Sequence, residues 1–134
     1  MSRENVEKIR LGQEGFSRGD LGPVKGLVAD DVEWGAVGAF AGLEDVYRGP
    51  EGMDEWMEAV RSSWERFDVS LDGVLRDLDD VVVVAELLRG RGRESHAEVE
   101  MRIFSVYWFE QGKIAKRRAF MTEAEALEAA GLSR

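Results

Sequence analysis

A single α+β domain over residues 1–134 is what this sequence predicts: three N-terminal helices on one face of a curved, mainly antiparallel sheet, and a short C-terminal helix. Three observations predict it. In the first half, residues recur at helical spacing: Val6, Ile9, Gln13 and Phe16, then Met53, Trp56, Met57, Val60 and Trp64. From Phe67 the period drops to two, the mark of a strand with one wet and one dry face. From there to Met121 strand-like runs follow one another across short turns, so neighbours pair antiparallel.

Taken in order, the first helix stops at Gly19, and its Gly12 and Gly15 each permit close approach of a neighbour. Asp20 caps a second helix, Leu21 to Val28, and Asp30-Asp31 leads into a short strand, Val32 to Trp34. Gly35 to Gly49 reads as a glycine-rich loop with a short strand at Val46 to Arg48. Pro50 opens the third helix, whose aromatic stripe suits a helix laid on a sheet. A strand runs from Phe67 to about Arg76, and Asp77 to Asp80 turns the chain. Val81 to Leu88 is rich in β-branched residues and is expected to be buried on both faces. Gly90 to Glu94 forms a hairpin loop into the long stretch Ser95 to Phe109, and Glu110-Gln-Gly-Lys113 turns into a last strand ending near Met121. Thr122 and Glu125 form a capping box for a final helix that stops at Gly131.

Composition narrows the function. With 27 acidic against 18 basic residues the net charge is -9, which repels phosphate backbones and argues against nucleic-acid binding. Arg91, Arg93, Lys113, Lys116, Arg117 and Arg118 lack interleaved aromatics and read as a solvated or salt-bridged sheet edge. There is no cysteine, hence no disulfide, thiol nucleophile or thiolate metal site, and the lone His96 excludes a multi-histidine cage. His96 itself sits among charged residues and reads as a surface residue. No signal-peptide pattern is seen and no apolar run approaches the roughly 20 residues of a membrane span, so the expectation is a cytoplasmic protein without membrane contact.

Four segments carry a family resemblance: Ala29-Asp-Asp-Val-Glu-Trp34, Val46-Tyr-Arg-Gly-Pro-Glu-Gly52, Phe109-Glu-Gln-Gly-Lys-Ile114 and Glu123-Ala-Glu-Ala-Leu-Glu-Ala-Ala-Gly-Leu132. Together they resemble the SnoaL-like branch of the NTF2-like superfamily, over nearly the whole chain. The resemblance implies a cone, a curved sheet wrapped over helices to enclose a small-molecule cavity. That superfamily holds ketosteroid isomerases, polyketide cyclases, epoxide hydrolases and members that only bind or assemble. Matched residue by residue, the isomerase base falls on Trp34, its tyrosine on Gly12 and its second acid on Ser105. The last-strand acid of the cyclases and epoxide hydrolases falls on Ala119. The usual acids and bases are missing, and no catalytic residue is assigned.

The same matching, with strand parity, turns Trp34, Met101, Ile103, Ser105, Tyr107, Arg117, Ala119 and Met121 to the cavity, with Tyr47 at its edge. Arg117 is the exception in a greasy lining, because a guanidinium there needs a partner. Either it binds the carboxylate or phenolate of an apolar ligand, or it pairs with an internal acid such as Glu33, or it reaches solvent at the mouth. Two functions follow. One is binding of a small, largely apolar, possibly anionic molecule. The alternative is an isomerase, cyclase or epoxide-hydrolase kind of enzyme using Tyr47, Ser105, Tyr107 and Arg117 with Glu33 as base. No metal or cofactor is implied. On the other face Phe104, Val106, Trp108 and Phe120 form an apolar patch, joined by Val82, Val84, Leu88 and Ile114, and the resemblance implies that a homodimer covers it.

Overall fold

The computed structural model describes residues 2–35 and 46–132. The elements run α1 (Ser2–Arg18), α2 (Gly22–Lys25), β1 (Val28–Gly35), β2 (Val46–Arg48), α3 (Gly49–Ser63), β3 (Trp64–Asp77), β4 (Val81–Gly92), β5 (Glu98–Glu110), β6 (Lys113–Phe120) and α4 (Glu123–Ala129). Among the described residues the strands form one curved six-stranded sheet in the order β2-β1-β6-β5-β4-β3. Strands β3 to β6 pair antiparallel as successive hairpins, and β1 enters parallel to β6. The fold is the α+β class read from the sequence.

Several boundaries differ from that reading, each for a reason of pairing. The second helix is a single turn, because Gly22, Pro23 and Gly26 offer little helical support and Val28 is taken into the sheet opposite Ile114. Strand β1 therefore spans eight residues and absorbs Asp30 and Asp31, whose side chains are exposed. Trp64 leaves the α3 stripe to begin β3, where it pairs with Gly92. That pairing extends β4 through Gly92, moving the hairpin turn to residues 93–95 and the start of β5 to Glu98. The short strand Val46–Arg48 lies where expected, while most of the glycine-rich loop falls outside the described residues.

Helices α1 to α3 cover one face of the sheet. Ile9 and Phe16 of α1 and Met53, Trp56, Met57 and Val60 of α3 are buried against it, as their spacing requires. Gly15 is the close approach between α1 and α2: a Cβ there would lie 2.6 Å from Val24 Cγ2 and 2.8 Å from Asp20 O. Gly12 is different. It is buried, yet a Cβ there meets no described atom within 4 Å, so space rather than contact lies beside it.

Helix α4 covers the opposite face. Thr122 Oγ1 accepts the Glu125 backbone N–H at 3.2 Å, the cap expected at its start. Val83, Val106 and Ala126 are fully buried there, with Phe104, Trp108 and Phe120 packed around them in partial exposure. The apolar patch foreseen on β5 is thus partly covered within the chain. Its neighbours on β4 are Val81 and Val83, while Val82, Val84 and Leu88 belong to the helix-covered core; the expected parity of β4 was inverted by one residue. Ile114 is also in that core, because a bulge between Trp108 and Phe109 skips Ala115 and flips the face of β6.

Beyond this patch, the same face of the sheet carries exposed ion pairs: Arg66–Glu98 at 3.2 Å, Arg89–Glu100 at 3.2 Å and Arg102–Asp72 at 2.8 Å. Exposed pairs of this kind contribute about 0–1 kcal/mol each and mainly keep the edge soluble. His96 is exposed, with Nδ1 3.4 Å from Glu65 Oε1, as a surface histidine should be. No described helix is long and apolar enough to cross a membrane.

Candidate functional site

The site is built from a row of residues across three strands. Pairing sets Trp34 of β1 beside Arg117 of β6, and Arg117 beside Tyr107 of β5. On β5 the next inward position is Ser105, opposite Ala119 and Val84. Period-two alternation turns all of them to the helix-covered face. Trp34, Tyr107, Ser105 and Arg117 are buried, with Arg117 only 6% exposed.

Burying a guanidinium requires a partner, and the partner is Glu86 of β4, which is 0% exposed. Arg117 Nη2 donates to Glu86 Oε1 at 2.9 Å and to Ser105 Oγ at 3.2 Å, while Nη1 donates to the Gly35 carbonyl at 2.8 Å. Gly35 allows this close approach: a Cβ would lie 3.0 Å from the Arg117 carbonyl and 2.9 Å from Arg118 Cδ, so a larger residue would press on β6. Glu86 Oε1 also accepts from Ser105 Oγ at 2.5 Å, and Oε2 accepts from Tyr107 OH at 2.6 Å and Gln13 Nε2 at 2.7 Å. Both carboxylate oxygens therefore hold two donors each, which is all that a carboxylate takes.

The electrostatics follow from that saturation. Burial pushes the Glu86 carboxyl up, but the Arg117 charge and the donors Ser105, Tyr107 and Gln13 outweigh it and hold the group below its ordinary 4.5. Burial and the Glu86 charge push the Tyr107 phenol well above 10.0. Burial works against the Arg117 charge, and Glu86 more than restores it. Glu86 and Arg117 are thus an ionised pair with a neutral phenol, and the pair carries no net charge.

An aromatic wall stands against this pair. The Arg117 guanidinium carbon lies 5.1 Å from the Trp34 ring and 5.9 Å from the Tyr107 ring, in cation–π contact. Trp34 meets Phe16 at 5.1 Å and Trp56 at 6.2 Å between centroids, and Phe16 meets Trp56 at 4.7 Å. Three buried donors here find no hydrogen-bond partner among the described residues: Trp34 Nε1, Trp56 Nε1 and Arg117 Nε. Buried donors left in that state are rare, and each costs about 1–3 kcal/mol.

Of the residues expected to line the cavity, Trp34, Tyr47, Ile103, Ser105, Tyr107 and Arg117 are buried. Met101 and Ala119 pack against the core half-buried, and Met121 lies past the end of β6 at 44% exposure. Glu33 pairs instead with Arg48 at 3.0 Å on a partly exposed part of β1. The internal acid of Arg117 is therefore Glu86. Sequence reasoning also missed Gln13 as a polar member and Phe16 and Trp56 as walls. Among the described residues no acidic or histidine cluster is arranged to hold a metal.

A search of curated proteins finds no match. An NTF2-like protein of unknown function from Burkholderia pseudomallei has a similar structure, with 20% identity, TM-score 0.78, and 93% of this chain and 95% of that one covered. TerC, solved co-crystallised with polyporic acid, is similar at 18% identity and TM-score 0.78, over 93% of this chain and 98% of that one. SalBIII, described as an epoxide hydrolase/cyclase-like enzyme in pyran ring formation in polyether salinomycin, is similar at 16% identity and TM-score 0.73, over 92% and 95%. At these identities the likeness is one of fold. The model of the SnoaL-like domain matches residues 11–117, most of the chain, and the protein belongs to the SnoaL-like family.

Proposed function

We propose that this protein binds a small, largely apolar molecule between its helices and the inner face of its sheet, without performing acid–base chemistry on it. The observation that carries the reading is that three buried donors beside the aromatic wall, on Trp34, Trp56 and Arg117, find no partner among the described residues. The space beside the buried Gly12, on the α1 stripe between Ile9 and Phe16, supports it further. The enzymatic alternative finds less support. Glu86 is the carboxylate of the site, and with both oxygens saturated and its proton affinity depressed it has no lone pair to offer a substrate proton.

Native mass spectrometry of protein purified without added ligand tests the reading. A retained small-molecule mass is expected in the wild type and should be lost in Gly12→Leu. That substitution fills the adjacent space and favours the helix by roughly 0.5–1 kcal/mol. A bare wild-type chain whose thermal unfolding is unmoved by a panel of flat apolar compounds would overturn it.

A homodimer is part of the proposal. With α4 over Val106, what remains for a second copy is the partly exposed rim of Phe104, Trp108 and Phe120. Lys116 Nζ stands 4.8 Å from the Trp108 ring, so Trp108→Glu places a carboxylate in the middle of that rim. Sedimentation velocity should then show a monomer where the wild type is a dimer. An unchanged sedimentation coefficient would remove this face from the assembly.

A further inference from the structure

We infer that the groove between α1 and the edge strand β3 binds a small organic monocation, an alkyl amine whose ammonium group is held by Gln13 and Glu14. This site is separate from the one proposed between the helices and the inner face of the sheet, and it stands without it. The groove has a volume of about 310 Å³ and is lined by Arg10, Gln13, Glu14, Val69, Ser70 and Leu71. Helix α1 is tied to the sheet here at two points one turn apart. Ser17 Oγ donates to the Val69 carbonyl at 3.2 Å and accepts the Val69 N–H at 3.0 Å, and Gln13 Nε2 donates to Glu86 Oε2 at 2.7 Å. A groove fixed in this way has little to reorganise on binding.

What the groove offers a ligand follows from what its side chains have already spent. Gln13 is only 4% exposed. A carboxylate only accepts, so the amide nitrogen faces Glu86 and the carbonyl Oε1 is the end left over, with no donor among the described residues. An amide oxygen so placed calls for a donor. Arg10 spends Nε and Nη2 on the two oxygens of Glu7, at 3.2 and 3.4 Å, and is neutralised there. Glu14, one turn further along α1, makes no ion pair with a described residue, so the groove keeps an uncompensated negative charge. A single carboxylate is too few for a divalent metal, which takes about six oxygens. An ammonium asks for less, since its N–H donors match the Glu14 carboxylate, Gln13 Oε1 and the Ser70 hydroxyl. Val69 and Leu71, both packed on the core, give a short hydrocarbon tail an apolar surface.

The test is an NMR titration of the ¹⁵N-labelled full chain at neutral pH with isopentylamine and, as its uncharged match, isopentyl alcohol. The amine is expected to give saturable shifts at the Gln13 side-chain amide and the backbone amides of Val69 to Leu71. It should bind about tenfold more tightly than the alcohol, the scale of one charge-assisted hydrogen bond. Glu14 is exposed, so Glu14→Gln should keep the fold by circular dichroism and bring the amine down to the affinity of the alcohol. Should that variant fail to fold, the comparison of amine and alcohol on the wild type still decides. Equal binding of the two probes, or amine binding unmoved by Glu14→Gln, overturns the inference. Amine shifts confined to Trp34, Trp56 and the inner face also overturn it, and leave the binding proposed there standing.

Discussion

Arg117→Met should destabilise the protein by about 3–5 kcal/mol in urea unfolding, the cost of leaving a buried carboxylate without its counter-charge. Glu86 is 0% exposed, and among the described residues no other cation donates to it, its remaining partners being Gln13, Ser105 and Tyr107. The paired replacement Glu86→Leu with Arg117→Met removes both charges but should recover little of that loss, because the buried Gln13, Ser105 and Tyr107 then lose their acceptor and each unpaired donor costs about 1–3 kcal/mol. The pH dependence changes sign between wild type and variant. In the wild type the folded carboxyl is held below 4.5, so its contribution is present above the unfolded value and disappears as pH falls through the folded one. Without Arg117 burial dominates and raises the folded value, so stability is present below the unfolded value and fades as pH rises through the folded one. The gap between wild type and Arg117→Met should therefore be widest at neutral pH and close toward acid. A gap that stays constant with pH would mean that Glu86 and Arg117 are not an ionised pair.

Ala126→Asp should be comparably severe, at several kcal/mol, because it forces a charge into a fully buried contact of α4 with the sheet. The chain has a cheaper escape than global unfolding, which is to release α4. That would bare Val83 and Val106, both 0% exposed in the native fold, along with the half-buried Trp108 and Phe120. The expected signature is a modest loss of helix by circular dichroism with concentration-dependent growth of particle size by light scattering. A variant that unfolds in one step with unchanged size would show α4 to be inseparable from the rest of the core.

Most of the fold was legible because long strands and amphipathic helices announce their periods. Thr122 and Gly131 bracket α4 as capping chemistry demands, and Trp34, Ser105, Tyr107 and Arg117 were placed on the inner face by the family matching together with alternation. What failed was parity within Val81 to Leu88, where every residue but Glu86 is apolar and alternation carries little information. Assigning Val82, Val84 and Leu88 outward turned Glu86 outward as well, and the acid that organises the site went unseen. Its signal was present: a carboxylate isolated in a run otherwise fit for burial on both faces needs an internal cation, and Arg117 was already in want of an acid. The bulge that flips Ile114 was not legible, since nothing in Lys113 to Phe120 marks the extra residue.

The position of β6 bears on how the chain comes to be folded at all. It is the last of the six described strands in sequence, yet it lies between β1 and β5, and β1 has β2 as its other neighbour. While a ribosome is still extending the chain, β1 and β2 can make only a small hairpin, with no sheet for α3 to settle on. The β3–β4–β5 meander assembles from local turns, but the two portions can join only when β6 emerges and zips to both at once. Such a late, non-local closure makes for slow folding and leaves the aromatic stripe of α3 unprotected during synthesis. In the cell, the yield of native protein would then be governed by how quickly β6 follows the strands before it.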